Sequence, residues 1–191
     1  MNSLLKYLFL LFFLGQGAYA QTKYEKEIRI PTDSVPAVAL QFVNNAPFDK
    51  KIKWYKEFGL NSTSFEAKTK YHGRRYSIEF NNDGILEDIE VQTKWKELPE
   101  YERSKMEDYL GERFGNYSIN KLQYQFSGQT EVMSQFLIDL EYTEQITQRY
   151  EVVIHTKING KFKRFELLFD WAGGYLSSAE FVPKNADNIE Y

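Results

Sequence analysis

Cysteine is absent from the 191-residue sequence, and its absence excludes several kinds of chemistry together. A chain without thiols has no disulfide bonds, no thiolate metal ligands and no cysteine nucleophile. The lipid-modified N-terminal cysteine that anchors a lipoprotein is excluded for the same reason. The folded protein must therefore be stabilised by its hydrophobic core alone.

Histidine and catalytic motifs are also scarce. The two histidines, His72 at a predicted hairpin tip and His155 in a predicted strand, have no partner at metal-ligand spacing. The sequence contains neither a G-x-S-x-G elbow nor a glycine-rich phosphate loop. Paired carboxylates such as Glu87 and Asp88 fall at positions typical of a solvated surface. We therefore predict no catalytic residue, no metal site and no cofactor, in a protein that is not an enzyme.

The sequence has no clustered basic region. The chain carries 24 Lys and Arg against 27 Asp and Glu, which gives a net charge of −3. The basic runs at residues 50–53 and 72–75 are short and bounded by acidic residues. Because nucleic-acid-binding proteins show a clustered basic face, we expect no nucleic-acid partner.

Long apolar runs are missing except near the N-terminus. Residues 7–14 (YLFLLFFL) follow Lys6 and precede small residues at Ala18 and Ala20. This order is typical of a secretory signal peptide, and the run is shorter than the ~20 residues of a membrane-spanning helix. We predict that residues 1–20 are removed near Ala20, which leaves a periplasmic or secreted protein without membrane insertion. An uncleaved membrane anchor is the alternative interpretation.

The rest of the sequence shows the same order of predicted elements in each of its two halves. Each half opens with a helix start that contains proline, Pro36 in the first and Pro99 in the second. Apolar residues at helical spacing predict helices over residues 33–45 and 99–114. Strands with alternating apolar and polar residues follow each helix. We therefore predict an α+β fold, a tandem repeat in which each unit is one helix packed on an antiparallel sheet of about four strands.

The boundaries of the predicted units follow from this alignment. They are 21–96 for the first unit, 97–183 for the second and 184–191 for a C-terminal tail. The second unit carries an insertion at residues 127–148, where apolar spacing favours a helix that starts near Thr130. A strand over residues 134–142 stays open as the alternative. Since a single unit of this size has a thin core, we expect the two units to fold as a pair.

These motifs resemble the PepSY-like repeat of exported bacterial proteins, whose fold is similar to that of beta-lactamase-inhibitor proteins. The matching features are the Pro-containing helix starts, the strand around Trp54, the pairs Phe65-Glu66 and Tyr150-Glu151, and the Phe-x-x-x-Gly turns at 80–84 and 169–173. The resemblance covers roughly residues 25–183. It implies a periplasmic or secreted protein that binds or inhibits a partner, and it carries over no catalytic residues.

A difference between the two halves indicates a binding surface. In the first half, the sheet face away from the helix is predicted to be polar, with residues such as Glu66 and Lys68. The same face of the second half carries apolar residues, and exposed apolar patches often mark interaction sites. The candidate binding residues are Val153, His155, Glu166, Leu168 and Leu176. A bulge in one strand, or coverage by the inserted segment, would remove this patch.

Three functions remain open at this point. The first is a binding module whose partner is an unidentified envelope protein, and a flat apolar sheet face would favour it. The second is a protein for a small ligand or a glycan, held by exposed aromatic residues such as Trp95 and Trp171 in a Trp-lined groove. The third is an unrecognised hydrolase, which would need convergent carboxylates and His155 in a deep cleft.

Overall fold

The computed structural model describes residues 21–182 as ten β-strands and three α-helices. The predicted signal peptide (1–20) and the predicted tail (184–191) lie outside the described residues. The strands are β1 (Gln21–Lys23), β2 (Lys26–Ile30), β3 (Lys53–Phe58), β4 (Thr63–Tyr71), β5 (Arg74–Asn81), β6 (Leu86–Gln92), β7 (Tyr117–Ser127), β8 (Thr147–Ile158), β9 (Lys161–Asp170) and β10 (Tyr175–Phe181). The helices are α1 (Ala37–Asn45), α2 (Glu100–Phe114) and α3 (Thr130–Asp139).

All ten strands of the described chain belong to one sheet, in the order β1-β10-β9-β8-β7-β6-β5-β4-β3-β2. Strand β1 runs parallel to β10, and the other neighbouring strands are antiparallel. The prediction of a tandem repeat with one helix on each four-stranded sheet is therefore wrong. Strands β6 and β7 pair directly, with Ile89 opposite Phe126 and Val91 opposite Tyr124. This pairing satisfies backbone groups that two separate sheets would leave open at their edges.

The helices begin close to the predicted positions and pack on one face of the sheet. Pro36 and Pro99 directly precede α1 and α2. Proline is favoured at a helix start because the backbone N–H that it lacks would have no partner within the helix there. Helix α1 packs on the apolar side chains of β3 to β6, and α2 packs on those of β7 to β9. The inserted segment forms a helix, α3, and its Met133 and Leu137 join the core beneath α1. The insertion therefore covers the helix-bearing face and leaves the opposite face uncovered.

The sheet is rolled so that its two edges meet. Strands β1 and β2 lie at opposite edges, yet only Tyr24 and Glu25 separate them in the chain. Ten flat strands would place the edges about 43 Å apart, whereas a two-residue link spans about 11 Å at most. The helix-free face consequently lies on the inside of the roll, and its Glu66, Glu90 and Glu151 are buried.

No helix within residues 21–182 is both long enough and apolar enough to cross a lipid bilayer.

Candidate functional site

Three of the five predicted binding residues lie together on the helix-free face. Val153 is opposite Glu166 across strands β8 and β9, and Leu168 lies two residues further along β9. Val153 is only 1% exposed and Leu168 is half-buried, because this face is the inside of the rolled sheet. The patch expected on an open surface is thus enclosed, and binding by these residues stays a prediction.

The other two predicted residues lie apart from that group. His155 is exposed, further along β8 and opposite Arg164. Leu176 is 47% exposed, and a β-bulge between Tyr175 and Ser177 shifts the register of β10 at this point. Ser177, rather than Leu176, therefore lies opposite Leu168.

The inside of the roll is an acidic cavity of about 400 Å³. Eight glutamates and four basic residues line it, so carboxylates exceed cations by four. The charged lining consists of Glu25, Glu27, Glu57, Glu66, Glu79, Glu90, Glu151, Glu166, Lys23, Lys68, Lys121 and Arg164. Buried charges are costly unless they are paired. The buried part of this lining, which includes Glu66, Glu90 and Glu151, therefore needs basic side chains, protons or bound cations to neutralise it.

The lysines neutralise only part of the excess. Lys23 Nζ lies 2.6 Å from Glu166 Oε2. Lys68 Nζ is 2.8 Å from Glu66 Oε2 and also pairs with Glu27. These carboxylates hold the pKa of both lysines above its ordinary value, although burial by itself lowers the pKa of an amine. Both lysines therefore stay charged inside the roll.

Lys121 is shared between two carboxylates on neighbouring strands. Its Nζ lies 3.8 Å from Glu90 Oε2 and 3.8 Å from Glu151 Oε1, which is longer than a hydrogen bond. Glu151 also accepts a hydrogen bond from Gln123 Nε2 at 3.2 Å. Glu90 Oε2 is buried and accepts no hydrogen bond from any described residue. The same holds for Asp88 Oδ1.

Burial and mutual repulsion raise the pKa of the central carboxyl groups. Burial, followed by the charges of Asp88 and Glu57, holds the pKa of Glu79 well above its usual range. The pKa of Glu90 is also well above that range, first because of burial and then because of Glu151 and Glu79. These two groups therefore hold protons tightly when no cation replaces them.

Two further carboxyl groups near this pair, Glu57 and Asp88, have pKa values close to neutral pH. Burial and the charge of Glu66 raise the pKa of Glu57 to about 8. Burial and the charge of Glu151 raise the pKa of Asp88 to about 7. Burial would also raise the pKa of Glu66, but the Lys68 ammonium and a hydrogen bond with Glu27 lower it overall. The cavity thus contains the convergent carboxylates that a hydrolase would need, although His155 is not among the described residues that line it.

A second concave surface, the aromatic groove, lies on the helix-bearing face next to the start of α2. It has a volume of about 510 Å³ and is lined by Pro99, Glu102, Tyr124, Phe126, Tyr142, Gln148, Tyr150 and Trp171. Its floor contains Tyr124 and the buried Tyr150, with ring centroids 5.4 Å apart. Its walls include Trp171, which is 66% exposed, and Tyr142, whose hydroxyl donates to Ile146 O at 2.7 Å.

The turn between β9 and β10 positions Trp171. Asp170 Oδ1 accepts hydrogen bonds from the backbone N–H groups of Ala172 and Gly174, at 2.9 and 2.7 Å. Gly173 has φ +77°, and a Cβ there would lie 2.6 Å from Glu102 O. The turn is therefore pressed against the first turn of α2, which places Trp171 and Glu102 on the same groove.

Glu102 brings a negative charge to this aromatic surface. Its Oε2 is buried and accepts no hydrogen bond within the described part of the chain. Burial, the neighbouring Tyr124 and the charge of Glu102 together raise the pKa of Tyr150 to about 12. An unpaired carboxylate oxygen beside electron-rich rings is a surface suited to a cation.

Trp95 takes no part in the groove. Its Nε1 donates to Glu107 Oε1 at 2.6 Å, and its ring packs against the core beneath α2. Sequence reasoning therefore named one groove residue, Trp171, and missed Glu102, which reads as an ordinary acidic residue at a helix start. An acidic residue three positions after Pro99 gives no sequence signal of an unpaired carboxylate.

Comparisons with known proteins give two matches, both to solved structures. No protein family model and no curated protein matches the sequence. The chain is similar to a DUF2874 family protein from Bacteroides ovatus, with 11% identity and a TM-score of 0.49 over 78% of this chain and 89% of that one. It is also similar to a BLIP-like protein from Bacteroides fragilis, with 18% identity and a TM-score of 0.46 over 85% of this chain and 94% of that one.

Neither solved structure is described as a PepSY-like protein or as a tandem repeat. At this level of similarity no functional conclusion follows from either structure.

Proposed function

We propose that the protein is a binding protein without catalytic activity, and that its aromatic groove receives a positively charged group of the partner. The observation that carries this proposal is the buried Oε2 of Glu102, which accepts no hydrogen bond from the described residues and lies in a groove lined by aromatic rings. Glu102 is half-buried, and its inaccessible oxygen loses hydration that no protein donor replaces, which costs free energy. A bound ammonium or guanidinium group would remove that cost.

The aromatic rings that line the groove also favour a positively charged ligand. A cation within ~6 Å of the face of Trp or Tyr is attracted by the quadrupole of the ring, by about 0.5–2 kcal/mol. Trp171 and Tyr142 are exposed, so a group in the groove can reach both rings. The chemistry recognised is thus an organic cation, and we assign it to a lysine or arginine side chain of an envelope protein. A free small cation, or a glycan that stacks on Trp171, is the alternative.

The five residues predicted from the sequence are not part of this site. Val153 is buried, and the face that carries it points into the rolled sheet. A protein partner has direct access to the groove on the helix-bearing face, whereas the helix-free face is enclosed.

Binding of model cations tests the proposal. Butylguanidinium, butylammonium and an arginine-containing peptide are titrated into the purified protein, with a neutral disaccharide as the comparison, and the indole N–H signal of Trp171 is followed by NMR. We expect the three cations to shift this signal and Glu102→Gln to weaken their binding about tenfold. Tighter binding of the peptide than of the free cations favours a protein partner.

Two exposed residues next to the groove provide matched controls. Glu100→Gln removes a carboxylate from the same helical turn, and Tyr101→Ala removes an exposed ring, but neither residue lines the groove. Both variants should bind the cations as the unaltered protein does. Trp171→Ala lacks the indole signal, so its binding is measured by calorimetry beside the unaltered protein, and we expect it to be lost. A signal that responds to the disaccharide and to none of the cations contradicts the proposal.

We further propose that this binding takes place outside the cytoplasm, after removal of residues 1–20. The support is the sequence of a charged residue, an apolar run and small residues that precedes Gln21. The intact mass of the protein isolated from its host should correspond to a chain that begins at Gln21. A mass that includes Met1 and the following residues would contradict export with cleavage.

A further inference from the structure

The acidic cavity contains a cluster of carboxylates that the proposed function does not use. Glu66, Glu79 and Glu90 belong to the adjacent strands β4, β5 and β6, and Glu66 lies directly opposite Glu79. We propose that these three side chains form a binding site for a calcium ion inside the rolled sheet. This proposal is independent of the aromatic groove, which lies on the other face.

The oxygen ligands suit calcium. One oxygen from each of the three side chains lies within 4.8 Å of the others, close enough for a single ion to contact all three. Ca²⁺ accepts about six to eight oxygen ligands in a flexible arrangement, whereas Mg²⁺ demands a nearly ideal octahedron. A ligand set made only of oxygen atoms also selects hard cations over zinc or copper.

The second observation is that a buried carboxylate oxygen of Glu90 receives no hydrogen bond. Glu90 is 3% exposed, and its Oε2 accepts no hydrogen bond from residues 21–182. Its ion pair with Lys121 is long, at 3.8 Å. A buried acceptor that finds no donor loses its hydration without replacement. A metal ion between Glu90, Glu79 and Glu66 supplies the missing interaction.

The excess of acidic residues in the cavity also favours a bound cation. Eight glutamates face four basic residues, so a divalent cation halves the excess of four negative charges. Lys68 already pairs with Glu66 and therefore contributes to neutralisation from one side. Without the ion, the like charges of directly opposite strand residues repel each other, and protons must neutralise them.

An ion can reach the site from one end of the roll. The acidic cavity shares Glu57, Glu79 and other lining residues with a cleft of about 540 Å³. The rim of this cleft includes Asn61 in the turn between β3 and β4 and Ser177 on β10. Both are polar residues, which suits the passage of a hydrated cation.

Calorimetric titration of CaCl₂ into the purified protein at pH 7.5 tests the site. We expect one calcium ion per chain for the unaltered protein and at least a tenfold weaker affinity for the double variant Glu79→Gln/Glu90→Gln. Glu87→Gln is the matched control, because Glu87 lies on the same strand as Glu90 but is exposed. This control should bind calcium with unchanged affinity.

Thermal melting separates loss of the site from loss of the fold. The double variant replaces two crowded acidic groups with neutral amides of similar size, so without calcium it should melt at or above the temperature of the unaltered protein. Calcium should raise the melting temperature of the unaltered protein and of Glu87→Gln, and leave that of the double variant unchanged. No heat of binding in the unaltered protein, or equal calcium binding by the double variant, overturns the proposal. Equal affinity for Mg²⁺ overturns the assignment to calcium.

Discussion

Gly173 shows how a single residue positions the aromatic groove. It has φ +77°, a left-handed conformation that glycine adopts without strain, and a Cβ there would lie 2.6 Å from Glu102 O. Gly84, in the turn between β5 and β6, has φ +82° and would place a Cβ 2.7 Å from Pro36 Cβ. Both Phe-x-x-x-Gly turns of the sequence therefore end in a glycine that presses against the start of a helix.

Gly173→Ala should lower the free energy of unfolding by about 2–3 kcal/mol. About 1 kcal/mol comes from the positive φ, and the remainder from displacement of a backbone oxygen that cannot rotate away. Gly160→Ala is the control, because Gly160 has φ +78° with no atom within 4 Å of the added Cβ, and it should lose only the first contribution. Urea denaturation measures both values, and equal losses would show that the contact with Glu102 is unimportant.

At the scale of the elements, much of the structure follows from local sequence. Helices are predicted over 33–45 and 99–114 and occur at Ala37–Asn45 and Glu100–Phe114. Alternation along the strands also places Glu66, Glu79 and Glu151 on the helix-free face, as the register shows. Alternation indicates on which face a side chain lies, but it carries no information about what covers that face. The burial of Glu66 and Glu151 could therefore not be predicted.

Two further features could not be predicted from the sequence. They are the pairing of β6 with β7 and the existence of the edge strand β1. Strand β1 has only three residues, too few for any periodicity. Its partner β10 lies at the far end of the described chain. The β-bulge at Leu176 could not be predicted either, because a register shift of one residue does not change the amino-acid composition of a strand.

Helix α3 allows a test of packing at the element scale. Leu137 is fully buried in the core beneath α1, whereas Ile138 is exposed on the same helix. Leu137→Ala should reduce the free energy of unfolding by about 3 kcal/mol, because it removes buried methyl groups and leaves a cavity. Ile138→Ala should change it by less than about 0.5 kcal/mol. If both variants unfold at the same urea concentration, α3 does not contribute to the core as described.

At the scale of the whole molecule, the rolled sheet turns an ordinary polar face into a buried and strongly acidic interior. Glu57 and Asp88 have pKa values of about 8 and about 7 in the folded protein, raised first of all by burial. The folded state therefore binds more protons than the unfolded state between roughly pH 4 and pH 8. Their contribution to stability is fully present below the unfolded pKa and is lost as the pH rises through 7 and 8.

The free energy of unfolding should consequently fall as the pH increases from 5.5 to 8.5 in calcium-free buffer. Each proton released on unfolding contributes a slope of about 1.4 kcal/mol per pH unit. Glu57→Gln should flatten this dependence, and Glu112→Gln, at an exposed position on α2, should leave it unchanged. Urea denaturation at several pH values provides the measurement. Stability that rises with pH over this range would contradict the description of the interior.

The two-residue link between β1 and β2 also sets the order in which the molecule can be completed. Gln21 pairs with Ala179, so the first described residues join a strand from the last. Closing so long a stretch of chain is entropically slow and belongs late in folding. During synthesis the N-terminal strand β1 is made first, but it cannot pair with β10 until that strand has also been made. Until that moment the acidic interior stays hydrated, and the seam between the two edges is the last part of the protein to form.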